Sequence, residues 1–198
     1  LGTVLLLEAG SNEDDHPEIL AADGFKDAFA NDDTMHDRLS TSQGKLVKRP
    51  IYAGSGRGMG GSGSVNGTVY TRGDVQDFTA WPSGWQWHDI VPAYEAIEHR
   101  LRVRFRAPTQ LTERCIRAAE SIGFKHKNGL NDGRLNRFIG YNDMNFEGEL
   151  RRSSYVAFIR DAKPALDLLT IRLHSTLQRI IFDTTNTAVA IEYREAGV

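Results

Sequence analysis

The stretch from Gly54 to Tyr70 constrains this chain more than any other part of the sequence, because six glycines and three serines fall in its first eleven residues. So many glycines favour a backbone that turns where a Cβ would clash, or that approaches another group closely. An amide, a hydroxyl and β-branched residues follow at once, which is unlike a flexible linker. We therefore predict a loop that wraps a phosphorylated or planar cofactor.

The same stretch contains two overlapping matches to the dinucleotide-binding pattern G-x-G-x-x-G, one beginning at Gly56 and the other at Gly58. That pattern requires a strand before it, an apolar helix after it and an acid about 20 residues further on. Here only the short segment 47–52 precedes the loop, and the polar residues 71–74 follow it closely. Such matches are nearly inevitable among so many glycines, so we reject the dinucleotide fingerprint at this place.

An apolar run, Val4 to Leu7, ends at Glu8 and is followed by a turn at Ala9 and Gly10. Such a run predicts a strand buried on both faces, as in a parallel sheet, and we expect further sequence before it. In doubly wound folds, an acid at the end of the second strand accepts hydrogen bonds from the adenosine ribose. An ordinary strand-end acid instead binds a nearby loop or helix. The sequence around Glu8 is compatible with both roles and favours neither.

Periodic patterns predict helices and strands along the rest of the chain. Trp81, Trp85 and Trp87 lie within seven residues and predict an aromatic turn, in which mutual packing is favoured over a substrate pocket. The last three predicted strands resemble a meander. The predicted helices are 17–30, 90–98, 111–122 and 155–161, and the predicted strands are 139–146, 168–174, 176–182 and 188–194.

Charge and composition narrow the class of protein. The chain has 198 residues, of which 40% are hydrophobic and 25% charged, as in a soluble globular protein. A net charge of −2 gives no electrostatic case for nucleic-acid binding. The basic run 99–106 alternates arginines with apolar residues, which favours a half-buried strand over a phosphate-binding patch. No apolar run reaches the ~18 residues of a membrane span.

Cysteine and histidine residues give no sign of a disulfide or a metal site. Cys115 is the only cysteine, which fits a reducing compartment, and we expect a cytoplasmic protein. It stands at an apolar position of a helical pattern, so we expect its side chain to be buried. His16 and His36 lack a second ligand at metal spacing, and we assign no metal ligand.

Taken in order, these motifs resemble those of the FAD-dependent glucose-methanol-choline (GMC) oxidoreductases. Residues 4–10 resemble the second strand of that family's FAD-binding domain, and residues 57–73 resemble its first signature. Further similar segments are 81–94, 152–158, 169–182 and 188–194. The resemblance implies an α/β fold, with an FAD/NAD(P)-binding (Rossmann-like) domain and part of an α+β substrate-binding domain. It places residues 1–135 and 165–198 in the FAD-binding domain and residues 136–164 at the start of the substrate-binding domain.

The resemblance also implies a set of cofactor-binding residues. Glu8 would hold the adenosine ribose, and Leu177 would offer main-chain groups to the adenine. The residues implied along the pyrophosphate and flavin are Ser62, Asn66, Gly67, Thr68 and Val69. Some members attach FAD covalently through a histidine just before the loop's asparagine. Since that position is Val65 here, we expect non-covalent FAD.

The implied activity is oxidation of a small-molecule alcohol, in which hydride passes from the carbinol carbon to flavin N5 and a histidine serves as base. None of the six histidines lies in the family's catalytic context, so we assign no catalytic residue. The family's glycine-rich first strand and its second signature are not in this sequence, and we expect the chain alone not to hold FAD tightly. The alternatives are a flavin-bearing lyase or photoenzyme of the same fold, or a truncated module that acts only by interaction.

Overall fold

The computed structural model describes residues 2–162 and 167–196. The chain divides into two compact units, one formed by Leu1–Gly67 and Glu149–Val198 and the other by Thr68–Gly148. The functional domain boundaries predicted above, 1–135 with 165–198 and 136–164, stay a prediction.

The secondary structure consists of short elements. The strands are β1 (Val4–Leu7), β2 (Val69–Tyr70), β3 (Val103–Phe105), β4 (Lys125–His126), β5 (Phe138–Ile139), β6 (Asp143–Glu147), β7 (Leu150–Arg151), β8 (Leu169–Arg172), β9 (Ser175–Phe182) and β10 (Ala188–Glu195). The α-helices are α1 (Phe25–Ala30), α2 (Ser62–Val65), α3 (Trp87–Leu101) and α4 (Gln110–Ser121). A π-helix spans Val156–Arg160, and 3-10 turns span Pro17–Ile19, Asp32–Thr34, Gly44–Leu46 and Val75–Phe78.

In the first unit, β1 pairs in parallel with β8, and Val4 lies opposite Leu169. The strand begins and ends as the apolar run predicts. Burial on both faces is wrong for the described residues, since Val4 is 55% and Leu5 46% exposed, whereas Leu6 packs against the core cluster around Met59. The predicted meander is also corrected. Its first strand pairs with β1, and only β9 and β10 form an antiparallel hairpin, whose turn holds Asn186 at φ +63°.

Two clusters of buried side chains form the core of the first unit and fix the glycine-rich loop. One contains Ile19, Ala28, Met35 and Val65, and the other contains Met59, Tyr155 and Val156. Met59 comes from the middle of the glycine-rich loop, and Val65 ends helix α2 directly after it. Burial of a Met or Val side chain contributes about 1.5–3 kcal/mol, so apolar packing anchors this segment at both positions.

The predicted helix over 17–30 divides into the 3-10 turn Pro17–Ile19 and helix α1. The predicted helix over 155–161 is the π-helix Val156–Arg160, for which Asp161 is the C-cap. The sequence predicts that Lys163 and Pro164 stop this helix, and both residues lie outside the described part of the chain.

The second unit contains an antiparallel sheet in the strand order β2-β6-β3 and the two longer helices. Helix α3 begins three residues before the prediction, because the Gln86 N–H donates to the Asp89 carboxylate in a capping box. Helix α4 agrees with the prediction to within one residue at each end, and Gly123 follows it at φ +94°. The predicted strand 139–146 divides into β5 and β6, which pair with different strands.

Two predictions for the second unit are wrong. Cys115 is exposed, because Ile116 is the residue that helix α4 buries and its neighbour on the helix points to solvent. The basic run 99–106 is not one strand, since α3 continues to Leu101, Arg102 adopts a left-handed conformation and only β3 is extended. In the aromatic turn, the Phe78 ring centroid lies 5.1 Å from that of Trp81 and 5.5 Å from that of Trp87, whereas Trp85 is 59% exposed, so the predicted packing is present only in part. No helix in the described ranges has the length and apolar character needed to cross a membrane.

Candidate functional site

The Glu8 carboxylate lies at the carboxyl end of β1 and binds the glycine-rich loop. Its Oε1 accepts hydrogen bonds of 2.8 Å from the Gly10 N–H and from the Gly58 N–H. The loop-partner role that the sequence left open is therefore present. Oε2 accepts no hydrogen bond from the described part of the chain, so one carboxylate oxygen is available as an acceptor.

The loop lies directly on the turn that follows β1. The Arg57 Nε and Nη2 donate to the Ala9 carbonyl at 3.2 and 3.1 Å, and the Met59 N–H donates to the Ser11 carbonyl at 2.9 Å. A Cβ on Gly10 would lie 2.6 Å from the Gly58 nitrogen, and Gly58 itself has φ +115°. These two glycines are therefore required by contact between two backbones of the same chain.

Gly67 has a different environment from Gly58, because a Cβ built on it would meet no atom within 4 Å. Close approach to a cofactor stays a prediction for this glycine. The sequence pattern does not distinguish these glycines. Only the structure shows that Gly58 contacts another part of the backbone and that a Cβ on Gly67 would enter open space.

A polar cavity of about 330 Å³ lies beyond the end of β1. The segment after β8 closes one side of it, since the His174 N–H donates to the Gly10 carbonyl and the Ser175 N–H to the Glu8 carbonyl. The lining residues are Gly10, Ser11, Asp15, His16, Asp33, Arg57 and His174. In open α/β sheets, ligands bind beyond the carboxyl ends of parallel strands, which is the position of this cavity.

Helix α2 presents polar groups to solvent and apolar groups to the core. The Ser62 Oγ accepts a hydrogen bond of 3.0 Å from the Gly56 N–H, which closes the loop on itself. Ser62, Asn66 and Gly67 are exposed, whereas Val65 is 5% exposed and lies in the core cluster with Ile19. The position at which covalent attachment would be expected is therefore turned away from the exposed polar surface.

Arg151 contacts this segment from its buried side, and sequence analysis did not identify it as a site residue. The residue is fully buried, and its Nη1 donates to the Asn66 Oδ1 at 2.8 Å and to the Gly63 carbonyl at 3.2 Å. Burial lowers the pKa of the Arg151 guanidinium to about 10, which leaves it charged at neutral pH. A run of two arginines and two serines is typical of an exposed helix cap, so no local pattern identifies a buried cation.

The remaining predicted cofactor residues lie elsewhere. Leu177 is in β9, two residues after the Ser175 N–H that binds Glu8, and it pairs with Tyr193 of β10. Thr68 and Val69 belong to the second unit, where Thr68 is fully buried at φ +62° and Val69 is 55% exposed in β2. In the first unit, the structure thus brings Glu8 to the loop that contains Ser62.

The second unit contains a partly buried polar network that sequence analysis did not find. The Arg72 Nε and Nη2 donate to the two Glu98 carboxylate oxygens at 2.5 and 2.6 Å. The Asn131 side chain accepts from the Arg72 N–H at 2.7 Å and donates to the Asp143 Oδ2 at 2.8 Å. Burial raises the pKa of Asp143, and the Glu98 carboxylate raises it further. Burial and Glu98 also raise the pKa of Tyr70.

The sequence of this chain is similar to those of curated choline dehydrogenases. The chain is 28% identical to the oxygen-dependent choline dehydrogenase of Rhizobium rhizogenes, over 98% of this chain and 38% of that protein. It is 30% identical to the enzyme of the same name from Rhizobium johnstonii, over 78% of this chain and 31% of that protein. The chain therefore spans less than half the length of these curated relatives.

Solved structures share the fold. Pyridoxine 4-oxidase from Mesorbium loti superposes with a TM-score of 0.83 at 24% identity, over 98% of this chain and 42% of that chain. An FAD-dependent oxidoreductase from Chaetomium thermophilum superposes with a TM-score of 0.78 at 18% identity, over 98% of this chain and 37% of that chain. At these identities the likeness shows the fold alone. It confirms the predicted α/β, FAD/NAD(P)-binding fold.

A family model described as GMC oxidoreductase matches residues 35–198. The match includes the whole glycine-rich loop, helix α2 and both strands of the β9–β10 hairpin. It therefore spans most of the chain and every segment on which the sequence resemblance rests except residues 4–10. This chain belongs to the GMC oxidoreductase family.

Proposed function

We propose that the protein is an FAD-dependent oxidoreductase that oxidises the CH–OH group of a small-molecule alcohol, and that it binds FAD non-covalently. The observation that carries this proposal is the Glu8 carboxylate at the end of β1, which accepts two hydrogen bonds through Oε1 and none from the described residues through Oε2. The turn that follows it, at Gly10 and Ser11, lines a polar cavity of about 330 Å³. When bound, FAD supplies the flavin ring that accepts the substrate's hydride.

The residues present fit such a cofactor. An acceptor oxygen on Glu8 suits the ribose hydroxyls of an adenosine, which are hydrogen-bond donors. Ser62, Asn66 and Gly67 are exposed. A serine hydroxyl and an asparagine amide suit a pyrophosphate and the polar edge of a flavin, and Gly67 has space where a Cβ would stand. The further proposed cofactor residues are Thr68, Val69 and, through its main chain, Leu177.

Two features support the remaining parts of the proposal. The burial of Val65 among Ile19, Ala28 and Met35 supports a non-covalent flavin. We assign residues 1–135 and 165–198 to the FAD-binding domain and residues 136–164 to the start of the substrate-binding domain. This assignment rests on the family resemblance.

The cellular location is part of the proposal. An exposed thiol at Cys115, the single cysteine of the sequence, supports a reducing compartment, and we propose the cytoplasm. Fractionation of cells that express the tagged full-length protein tests this, and recovery in a secreted fraction would contradict it.

The experiment is a flavin assay on the full-length protein. We expect a visible flavin spectrum after desalting, and release of FAD into the supernatant when the protein is denatured by acid. Anaerobic addition of choline, pyridoxine or an aryl alcohol, the compounds for which similar enzymes are named, should bleach the flavin with at least one member of the panel. A protein that retains no FAD after reconstitution would overturn the proposal. A flavin that no alcohol bleaches would overturn the alcohol-oxidising part of it.

A further inference from the structure

The Arg57 side chain binds the turn that follows β1 through a single main-chain oxygen. Its Nε and Nη2 donate to the Ala9 carbonyl at 3.2 and 3.1 Å. The described residues form no ion pair with Arg57, although it lines the same polar cavity as Asp15 and Asp33. An ion pair therefore does not explain why a half-buried arginine stands at this position.

The peptide group that joins Ala9 to Gly10 is held at both of its polar ends. Its carbonyl accepts from the Arg57 guanidinium, and its N–H donates to the Glu8 Oε1 at 2.8 Å. A trans peptide group is planar, and its C=O and N–H bonds point in opposite directions. The contact of Arg57 with the carbonyl therefore fixes the direction from which the Gly10 N–H reaches Glu8.

Arg57 is also joined to Glu8 through its own backbone. The peptide group that follows Arg57 carries the Gly58 N–H, which donates to the same Glu8 Oε1 at 2.8 Å. The side chain and the following peptide group of Arg57 thus meet at one carboxylate oxygen, and the contacts form a closed ring. In such a ring each hydrogen bond restricts the geometry of the others, so the orientation of the carboxylate depends on the guanidinium.

We propose that Arg57 is a positioning residue, which fixes the orientation of the Glu8 carboxylate so that Oε2 can accept from the adenosine ribose of FAD. This inference rests on the proposed function, because it assigns Glu8 to an FAD site. Without the guanidinium, the peptide group between Ala9 and Gly10 is free to rotate, and Oε1 loses one of its two fixed donors. FAD then binds more weakly although none of the proposed cofactor residues has changed.

The test is a double-mutant cycle in the full-length protein, with the FAD dissociation constant measured by flavin fluorescence. Arg57→Met removes both donors, and we expect FAD to bind about tenfold more weakly, as for the loss of one hydrogen bond. In the Glu8→Ala background, Arg57→Met should change the dissociation constant less than about twofold. Equal losses in the two backgrounds would overturn the inference, because Arg57 would then act on the cofactor independently of Glu8.

Arg57→Gln separates the role of the donor from that of the positive charge. The glutamine Nε2 is the same number of bonds from the Cα as the arginine Nε, and it is a neutral donor. We expect this variant to bind FAD within about threefold of wild type. A tenfold loss would mean that the charge attracts the anionic cofactor, and it would overturn the inference. If Arg57→Met does not fold, the dissociation constant of Arg57→Gln decides between the same two outcomes.

Arg38→Met is the matched control, because the Arg38 Nη2 also donates to a main-chain carbonyl, that of Phe29, at 2.9 Å. Both methionine variants should lower the melting temperature of the flavin-free protein, since both remove hydrogen bonds, but only Arg57→Met should weaken FAD binding. If Arg38→Met weakens it as much, a general loss of stability is the cause, and the inference fails while the proposed function stands. A wild-type protein that binds no FAD overturns the proposed function and this inference with it.

Discussion

Glu8 and Gly58 are fifty residues apart in the sequence and are joined by a 2.8 Å hydrogen bond from the Gly58 N–H to the Glu8 Oε1. The bond places a strand-end carboxylate and the glycine-rich loop in one site. It also gives Glu8 two roles that can be tested apart, since Oε1 serves the loop and Oε2 is proposed to serve the cofactor.

Glutamine at position 8 should separate these roles. In Glu8→Gln the amide oxygen can still accept from Gly10 and Gly58, but the other end becomes a donor. We expect a loss of less than about 1 kcal/mol in unfolding free energy and a 10- to 100-fold weaker binding of FAD. Glu8→Ala removes both roles and should cost about 2 kcal/mol as well. Urea unfolding and FAD titration measure the two effects; equal stability losses in both variants would contradict the role of Oε1.

Alanine at Gly58 should destabilise the fold. The residue has φ +115°, and a Cβ would lie 2.9 Å from the Ser11 carbonyl oxygen, so both the backbone and its neighbour resist the change. We expect Gly58→Ala to lower the unfolding free energy by about 2 kcal/mol.

Gly67→Ala is the matched control from the same loop, since its Cβ would enter open space. It should change stability by less than about 0.5 kcal/mol. If Gly67 lies against the flavin, the same variant weakens FAD binding. A Gly58→Ala protein as stable as Gly67→Ala would refute the backbone-contact explanation.

The partly buried Arg72–Glu98 ion pair of the second unit should be sensitive to the loss of either partner. Glu98→Gln would leave the Arg72 guanidinium, whose side chain is 10% exposed, without its bidentate carboxylate. We expect a loss of about 3 kcal/mol in unfolding free energy. Glu192→Gln is the comparison, because its pair with Arg179 has the same bidentate form but lies on an exposed hairpin; its loss should be under about 1 kcal/mol. Similar losses in the two variants would argue against burial as the cause.

Asp143 should make the second unit less stable as pH rises. Burial holds the pKa of Asp143 above its ordinary value, so its contribution is fully present below the unfolded pKa of about 4 and is lost as pH rises through the folded one. The unfolding free energy of Asp143→Asn, measured with urea, should therefore rise relative to that of wild type between pH 4 and pH 7. The new amide oxygen can still accept the hydrogen bond from Asn131.

Asp183 should contribute a pH dependence of unfolding free energy that is opposite to that of Asp143, measured in the same assay. Hydrogen bonds from the Thr185 hydroxyl and from the Thr187 and Thr185 N–H groups lower the pKa of Asp183. Its contribution is present above the unfolded pKa and is lost as pH falls. The unfolding free energy of Asp183→Asn should therefore fall relative to that of wild type as pH rises. Parallel curves for the two variants would contradict both assignments.

Local features of the fold could be predicted from the sequence to within a few residues. Strand β1 has the predicted bounds and helix α4 is one residue from them, because a strand's apolar run and a helix's period are properties of neighbouring residues. Pairing partners could not be predicted in this way. A meander predicts that β8 pairs with β9. In the structure β8 pairs instead with β1, which lies near the other end of the chain, because the apolar pattern of a strand does not specify its pairing partner.

The features of the candidate site can likewise be separated into those that the sequence determined and those that required the tertiary structure. By itself the sequence determined the glycine-rich loop, the acid that ends β1, the apolar residue at position 65 and the resemblance to a family that the comparisons then confirmed. Only the tertiary structure decided that Gly58 is a glycine because Gly10 and Ser11 lie against it, that Cys115 faces solvent, and that Arg151 is buried under Asn66. Those facts depend on contacts between residues distant in sequence, where burial and backbone approach are set by packing and not by local pattern.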